Sequence, residues 1–130
     1  IALDNGLLLK EHNCDYLSNE QIELRKDHGI DAINIAPELG VIQTNLTFNV
    51  SKKLKLEKEL NLFQKLVLRK GKWKKWNYNN ENNLIKFYSA GHYHFSSKLY
   101  ENLLNKINNE LNFQKLLNKS IEKNLIKYFI

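Results

Sequence analysis

A short apolar run near the start of the chain is followed by a series of polar side chains. They include nearly every type that binds a ligand or transfers a proton. The leucines at positions 7–9 are followed directly by Lys10, Glu11, His12, Asn13, Asp15 and Tyr16. Carboxylates and imidazole exchange protons, while amide, phenol and ammonium groups hold hydroxyls or phosphates. A solvated loop does not need this variety, and a buried strand cannot satisfy it. The stretch predicts a functional site at the end of a strand.

A second polar group follows the next apolar stretch at the same relative point. Residues 31–36 contain Asn34 and are followed by Pro37 and Glu38. In a barrel of parallel strands the active site lies at the carboxyl ends of the strands, so we expect both groups to face one pocket. We predict three catalytic residues, His12, Asp15 and Glu38. We predict four substrate contacts, Lys10, Asn13, Tyr16 and Asn34.

Three of these side chains, those of Lys10, His12 and Asp15, also have a second interpretation. Lys10 can contact a phosphate, form a Schiff base if burial lowers its pKa, or lie in solvent. Asp15 can pair with Tyr16 in acid–base chemistry or cap the next turn. His12 can bind zinc, with Asp15 orienting it, or form a hydrogen bond within the polar strand end. Because no His-x-x-His-Gly pattern is present, we predict no metal ligand in this segment.

The elements that must position these residues alternate between strand and helix. Residues 6–11 and 31–36 have the length and apolar character of buried strands. Between them Ser18 begins a capping box and Gly29 closes a short helix. Pro37 suits the first turn of another helix. This order predicts two parallel strands that lie side by side, with no hairpin between them.

The pattern changes to a helical period after residue 50. Ser51 can cap a helix that runs through residue 70 and ends at Gly71. A further helix begins at Ser96 or Ser97, and its apolar stripe repeats about every four residues: Phe95, Leu99, Leu103, Ile107 and Leu111. Residues 112–130 predict one or two more short helices.

Two parallel strands cannot bury both of their faces alone. The chain starts at Ile1 and contains no methionine, so we treat it as a piece of a longer polypeptide. We predict an α/β fold, the C-terminal fragment of a TIM (β/α)8 barrel. Residues 1–50 would be its last strand–helix units, and residues 51–130 a helical extension packed on the barrel.

The net charge of +6 is unevenly distributed along the chain. Residues 1–50 hold three Lys/Arg and eight Asp/Glu, whereas residues 51–130 hold seventeen and six. The lysines surround helices and do not cluster on one face. Lysine and asparagine are enriched together, as is typical of proteins encoded by an A/T-rich genome. Both features argue against a nucleic-acid partner. No apolar run reaches the roughly eighteen residues of a membrane helix. We expect a cytoplasmic enzyme or enzyme subunit.

The stretch KWKKW has two interpretations. Its tryptophans, Trp73 and Trp76, can stack on bases beside Lys72, Lys74 and Lys75, as in a basic RNA-contacting module. They can also anchor the segment between the apolar helices on either side. An RNA-binding module would need its lysines on one face and would bind in a salt-sensitive way.

Short motifs along the whole chain resemble the non-catalytic subunit of class II D-tagatose-bisphosphate aldolase. KEHNCDY resembles that family's His-x-x-Asp-Tyr stretch through His12, Asp15 and Tyr16, and the next strand ends in a similar Pro-x-Leu at residues 37–39. KWKKW resembles its Trp-Lys-Lys-aromatic stretch, and LIKFY its aromatic stretch that ends in a histidine. The family's lysine on the second strand is replaced by Asn34.

The resemblance implies a sugar-phosphate aldolase-type barrel subunit in carbohydrate metabolism. Such a subunit would bind a phosphorylated ketose, or support the folding and activity of a separate catalytic aldolase subunit. Zinc, which class II aldolases bind through histidine, would belong to the full-length protein or to that partner. An alternative is a divergent barrel with its own aldolase or isomerase activity, using His12, Asp15 and Glu38.

Overall fold

A computed structural model of the chain describes residues 3–76 and 82–129. Within these ranges the chain forms two short strands, β1 Lys10–Glu11 and β2 Ala32–Ile33. It also forms the helices α1 Asn19–Asp27, α2 Pro37–Lys53, α3 Glu57–Lys70, α4 Asn83–Ala90, α5 Lys98–Glu110 and α6 Phe113–Phe129. Short 3-10 turns lie at Leu3–Asn5, Lys72–Lys75 and Gly91–His94. None of the described helices is long and apolar enough to cross a membrane.

The two strands pair in parallel, as the alternation of elements predicts. Lys10 lies opposite Ala32, and Glu11 lies opposite Ile33. The pairing continues past the strand ends, because the Cys14 N–H donates to the Asn34 carbonyl oxygen at 3.0 Å. The predicted strand bounds of 6–11 and 31–36 are wrong, since each strand is only two residues long. The parallel arrangement still brings the residues that follow the two strands to one edge.

The prediction of a TIM-barrel fragment is wrong. The sheet contains β1 and β2 alone among the described residues, and most of those residues are helical. Leu7 and Leu8, expected inside a buried strand, are 59% and 81% exposed. The physical reason is that the amphipathic helices after residue 37 bury their apolar faces against one another, so the main core needs no sheet. The fold is a mostly helical small domain that carries a two-stranded parallel sheet.

The main core lies between α3, α4 and α5. Phe63 and Phe87 are fully buried, and their rings pack edge to face with centroids 5.6 Å apart. Tyr100 packs on Phe63 at 5.0 Å. Aromatic pairs of this kind add about 0.5–1.5 kcal/mol to the free energy of burial. Leu60, Phe63 and Val67 recur at helical spacing and form the buried face of α3.

Several helix ends agree with the sequence. Ser18 and Gln21 form the capping box of α1. The Ser97 side chain accepts a hydrogen bond from the Tyr100 N–H and begins α5. Gly71 ends α3 in the left-handed conformation, with φ of 68°. Local capping chemistry therefore fixed these boundaries.

The predicted helix from Ser51 to residue 70 is wrong at its start. Ser51 lies buried within α2. The helical conformation is interrupted between α2 and α3 at Lys55, which has φ of 57°. Helix α2 begins at Pro37, as predicted, but continues to Lys53 because one face of it packs against α4 and α6. The division of the chain into domains at residue 50 stays a prediction, and α2 runs across it.

Two glycines allow the turn Gly91–His94 to lie directly against α2. A Cβ atom at Gly40 would be 2.6 Å from the His92 Cβ, and one at Gly91 would be 2.5 Å from Thr44 Cγ2. Real Cβ atoms do not approach other atoms so closely, so any side chain here would force the elements apart. The contact helps to fix α2, whose first turn meets the predicted site.

Candidate functional site

Asp15 caps the N-terminus of α2 from a distant part of the chain. The N-cap residue itself is Ala36, whose side chain cannot accept a hydrogen bond. Asp15 Oδ1 instead accepts the N–H groups of Ala36 at 2.9 Å and Glu38 at 2.8 Å. A carboxylate at this position satisfies free amides and interacts favourably with the helix dipole. Asp15 therefore performs the capping role, and its catalytic role stays a prediction.

Glu38 is the centre of a buried polar network, which we call the Glu38 network. Glu38 is only 3% exposed. Oε2 accepts the Tyr16 N–H and the Tyr128 hydroxyl, each at 2.7 Å. Oε1 accepts Lys127 Nζ at 2.7 Å and Asn124 Nδ2 at 2.9 Å. Four donors thus occupy both carboxylate oxygens, which ties the C-terminal end of α6 to the start of α2.

The network changes the proton affinity of its members. Burial alone would raise the pKa of Glu38, but the four hydrogen bonds outweigh burial and lower the pKa to about 2. Burial and then the hydrogen bond to the Glu38 carboxylate raise the pKa of Tyr128. Burial, followed by the charges of Asp15 and Glu38, raises the pKa of Tyr16 to about 12. Near neutral pH the carboxylate is therefore ionised and both phenols keep their protons.

His12 and Asn34 form a side-chain pair across the ends of the two strands. His12 Nδ1 lies 3.3 Å from Asn34 Nδ2, and both residues are exposed. An amide nitrogen only donates, so Asn34 Nδ2 is the donor and His12 Nδ1 the acceptor of this hydrogen bond. This contact joins one residue from each of the two predicted polar groups. Lys10, two residues before His12, is also exposed. We call Lys10, His12 and Asn34 the strand-end site.

Glu11, between Lys10 and His12, is occupied by an ion pair. Arg25 Nη2 donates to Glu11 Oε1 at 2.9 Å, and Arg25 Nε lies 2.7 Å from Glu11 Oε2. This two-point contact joins α1 to β1 and holds the backbone on which the strand-end site is built. Alternation along β1 places Glu11 on the side opposite Lys10, which is exposed.

Two residues of the first polar stretch adopt an unusual backbone. Asn13 has φ of 60° and Tyr16 has φ of 63°. Asparagine tolerates this left-handed conformation, but a bulky residue adopts it only when its surroundings impose it. For Tyr16 the constraint is its N–H donated to Glu38. The result is a fixed loop from which the Tyr16 side chain extends, 56% exposed.

The tryptophans of KWKKW have different environments. Trp73 packs against the main core, and its Nε1–H donates to the Leu68 carbonyl oxygen at 3.0 Å. It is an anchor, and Lys86 Nζ lies 4.2 Å from its ring centroid. Trp76 is 48% exposed, and its Nε1–H donates to the Tyr93 hydroxyl at 3.1 Å. Residues 77–81, which follow KWKKW, lie outside the described residues.

Sequence reasoning missed the three donors from α6 to Glu38. Asn124, Lys127 and Tyr128 lie in a segment whose polar residues are typical of a solvated helix face. The sequence contains one indication of a polar contact here, because Lys127 and Tyr128 are polar neighbours at the end of an otherwise apolar stripe. Nothing local connects them to a glutamate almost ninety residues earlier.

The arrangement offers no clear cation site. Across residues 3–76 and 82–129, no three His, Cys, Asp or Glu side chains are grouped so that they could hold a metal ion. The acidic groups near His12 are already engaged, Asp15 by backbone amides and Glu38 by its network. What the strand-end site can do is donate and accept hydrogen bonds through His12 and Asn34 and supply the positive charge of Lys10.

Comparisons of the chain with protein-family models, curated proteins and solved structures find no match.

Proposed function

We propose that this protein binds a phosphorylated ketose and supports a separate catalytic aldolase chain in the cytoplasm. This is the role implied by its resemblance to the non-catalytic subunit of tagatose-bisphosphate aldolase. The observation that carries the proposal is the exposed His12–Asn34 pair at the ends of two parallel strands, with Lys10 on the same strand. The carboxyl ends of parallel strands are where open α/β sheets bind ligands.

The chemistry of the strand-end site suits a sugar phosphate. The imidazole and the amide each contain a hydrogen-bond donor and an acceptor. A sugar hydroxyl group also donates and accepts, so the two sets of groups are complementary. The ammonium group of Lys10 can contact a phosphate as a point charge. The Arg25–Glu11 ion pair keeps this strand in place while its exposed face meets the ligand.

A binding and supporting role fits the carboxylates better than catalysis by this chain. An efficient general base has a pKa near the working pH, whereas the pKa of Glu38 is lowered to about 2. Asp15 is engaged by two backbone amides. Of the three predicted catalytic residues, His12 is then left as the proton-transfer group, and we propose that its acid–base partner comes from another chain.

Ligand binding is tested by isothermal titration calorimetry with D-tagatose 1,6-bisphosphate. We expect His12→Ala and Asn34→Ala to weaken binding about tenfold each while leaving the melting temperature nearly unchanged, since both side chains are exposed. The matched control is His28→Ala, because His28 is an exposed histidine at the end of α1 whose Nδ1 lies 2.7 Å from the Leu24 carbonyl oxygen of that helix. Equal affinities of the protein and of both variants would contradict the proposal.

Support of a partner is tested by co-expressing the protein with a class II aldolase catalytic chain from the same genome. We expect more soluble catalytic chain and faster cleavage of tagatose 1,6-bisphosphate than without this protein. If this protein alone cleaves the substrate, and His12→Ala abolishes that cleavage, the alternative of an independent enzyme is correct. If neither solubility nor rate of the partner changes, the supporting role is wrong.

A further inference from the structure

A small cleft lies next to the loop that carries the strand-end site. It has a volume of about 230 Å³ and is lined by Tyr16, Pro37, Trp76 and Ser89. We call it the aromatic cleft. It joins three separate parts of the chain: the loop after β1, the start of α2, and the end of the 3-10 turn with α4. Its volume is below the range of drug-sized sites, about 300–1,000 Å³, so it suits one small ring.

Trp76 forms a fixed aromatic wall of this cleft. Its indole N–H is bound to the Tyr93 hydroxyl at 3.1 Å, yet the residue is 48% exposed. An indole whose polar atom is satisfied within the protein offers an apolar surface with little loss of side-chain entropy on binding. Trp73 cannot serve in this way, because it packs on the core and lies beneath Lys86.

Tyr16 forms the second aromatic wall. Its backbone is held at φ of 63° by the hydrogen bond from its N–H to Glu38. The Glu38 network thus acts as the support of this wall, because the same carboxylate binds α6 and the Tyr16 amide. An exposed tyrosine held by its backbone in an unfavourable conformation points to a positioning requirement.

One hydroxyl group completes the lining of the cleft. Ser89 Oγ donates to the Lys86 carbonyl oxygen at 3.0 Å and so keeps lone pairs that can accept from a hydroxyl group. The residues that line the cleft carry no charged side chain.

We propose that the aromatic cleft holds the sugar portion of a phosphorylated monosaccharide, with Tyr16 and Trp76 contacting its apolar face. This inference rests on the proposed function and assigns the residues that recognise the ring. A ring with an apolar face and a hydroxyl edge matches two aromatic walls and one hydroxyl acceptor.

Fluorescence of Trp76 reports occupancy of the cleft directly. The sequence contains two tryptophans, so Trp73→Phe leaves Trp76 as the single emitter. We expect saturable quenching or a shift of emission with D-tagatose 1,6-bisphosphate. We expect a weaker response with unphosphorylated D-tagatose and none with inorganic phosphate alone. A stronger response to adenosine monophosphate than to the sugar phosphate would identify a nucleobase site and overturn the inference.

Substitutions test the two walls by calorimetry in the otherwise unchanged protein. Trp76→Ala should weaken sugar-phosphate binding about tenfold or more, as removal of a stacking ring does, while Trp76→Phe should keep most of the affinity. Tyr16→Asn removes the second ring with a residue that tolerates the left-handed backbone. The control is Phe129→Ala, because Phe129 is an aromatic residue that is 83% exposed and lies outside the cleft.

The outcomes separate this inference from the proposed function. If the protein binds the sugar phosphate and His12→Ala weakens binding but Trp76→Ala and Tyr16→Asn do not, the cleft assignment is wrong and the proposed function stands. If the unsubstituted protein binds no sugar phosphate, both are wrong. Loss of affinity in Trp76→Ala and Tyr16→Asn, with Phe129→Ala unchanged, supports the cleft.

Discussion

Asp15 and Glu38 support each other's backbone across two loops. Asp15 Oδ1 accepts the N–H of Glu38 at 2.8 Å, and Glu38 Oε2 accepts the N–H of Tyr16, the residue after Asp15, at 2.7 Å. The arrangement resembles a capping box in which the two partners lie 23 residues apart. It fixes the loop after β1 on the first turn of α2, and four predictions follow from it and from its surroundings.

Replacing Asp15 by alanine should destabilise the protein by about 1–2 kcal/mol, the usual cost of losing an N-cap acceptor. Asp15→Asn should cost less, because an amide oxygen can still accept from the two backbone N–H groups. Urea unfolding measures both. The control is Asp27→Ala at the end of α1, where an exposed carboxylate should contribute under about 0.5 kcal/mol. Equal stability of Asp15→Ala and the parent would show that the cap is dispensable.

Tyr128→Phe removes one hydrogen bond to a buried carboxylate and should lower the free energy of unfolding by about 2 kcal/mol. The reason is that the Tyr128 hydroxyl donates to Glu38 Oε2 at 2.7 Å in the Glu38 network. Tyr88→Phe is the matched control and should change stability by less than about 0.5 kcal/mol, since its ring contacts with Phe48 and Phe87 persist. A neutral Tyr128→Phe would mean that α6 is not held by this bond.

Glu38 should make the protein acid-sensitive. Its pKa falls from an ordinary 4.5 to about 2 in the folded state. A lowered carboxylate pKa gives stability that is fully present above the unfolded pKa and is lost as the pH falls toward the folded pKa. Urea unfolding should therefore show a large deficit of Glu38→Gln at about pH 7 that shrinks toward about pH 3.

The control for this pH dependence is Glu101→Gln. Glu101 is in an exposed ion pair with Lys98, and such pairs contribute little. Its stability should follow that of the parent protein at every pH. A Glu38→Gln deficit that is the same across the acidic range would contradict the lowered pKa.

Gly40→Ala should destabilise the protein by about 1–3 kcal/mol, even though alanine is the better helix former. Its new Cβ would lie 2.6 Å from the His92 Cβ, an atom close to the backbone that cannot rotate away. Asn49→Ala is the control, at an exposed position of the same helix, and should be neutral or slightly stabilising. A stabilised Gly40→Ala would show that the turn Gly91–His94 can move away from α2 at little cost.

Local chemistry in the sequence determined much of the secondary structure. Ser18 and Ser97 cap helices because their hydroxyls accept amides within the same turn, and Gly71 ends one because it accepts positive φ without strain. The strand–helix–strand order also determined the parallel pairing of β1 and β2 and hence the meeting of His12 with Asn34. For the caps, a few neighbouring residues contain all the information, whereas the parallel pairing follows from the order of three consecutive elements.

The tertiary structure alone decided the size of the sheet and the partners of the carboxylates. A short apolar run fits a buried strand or another environment equally well, so residues 6–11 could not reveal that Leu7 and Leu8 are exposed. Likewise, the sequence indicated a catalytic carboxylate at Glu38. Its donors Lys127 and Tyr128 reach it only because α6 packs beside α2. Hydrogen bonds between distant residues depend on the relative placement of whole elements, and a local periodicity does not record that placement.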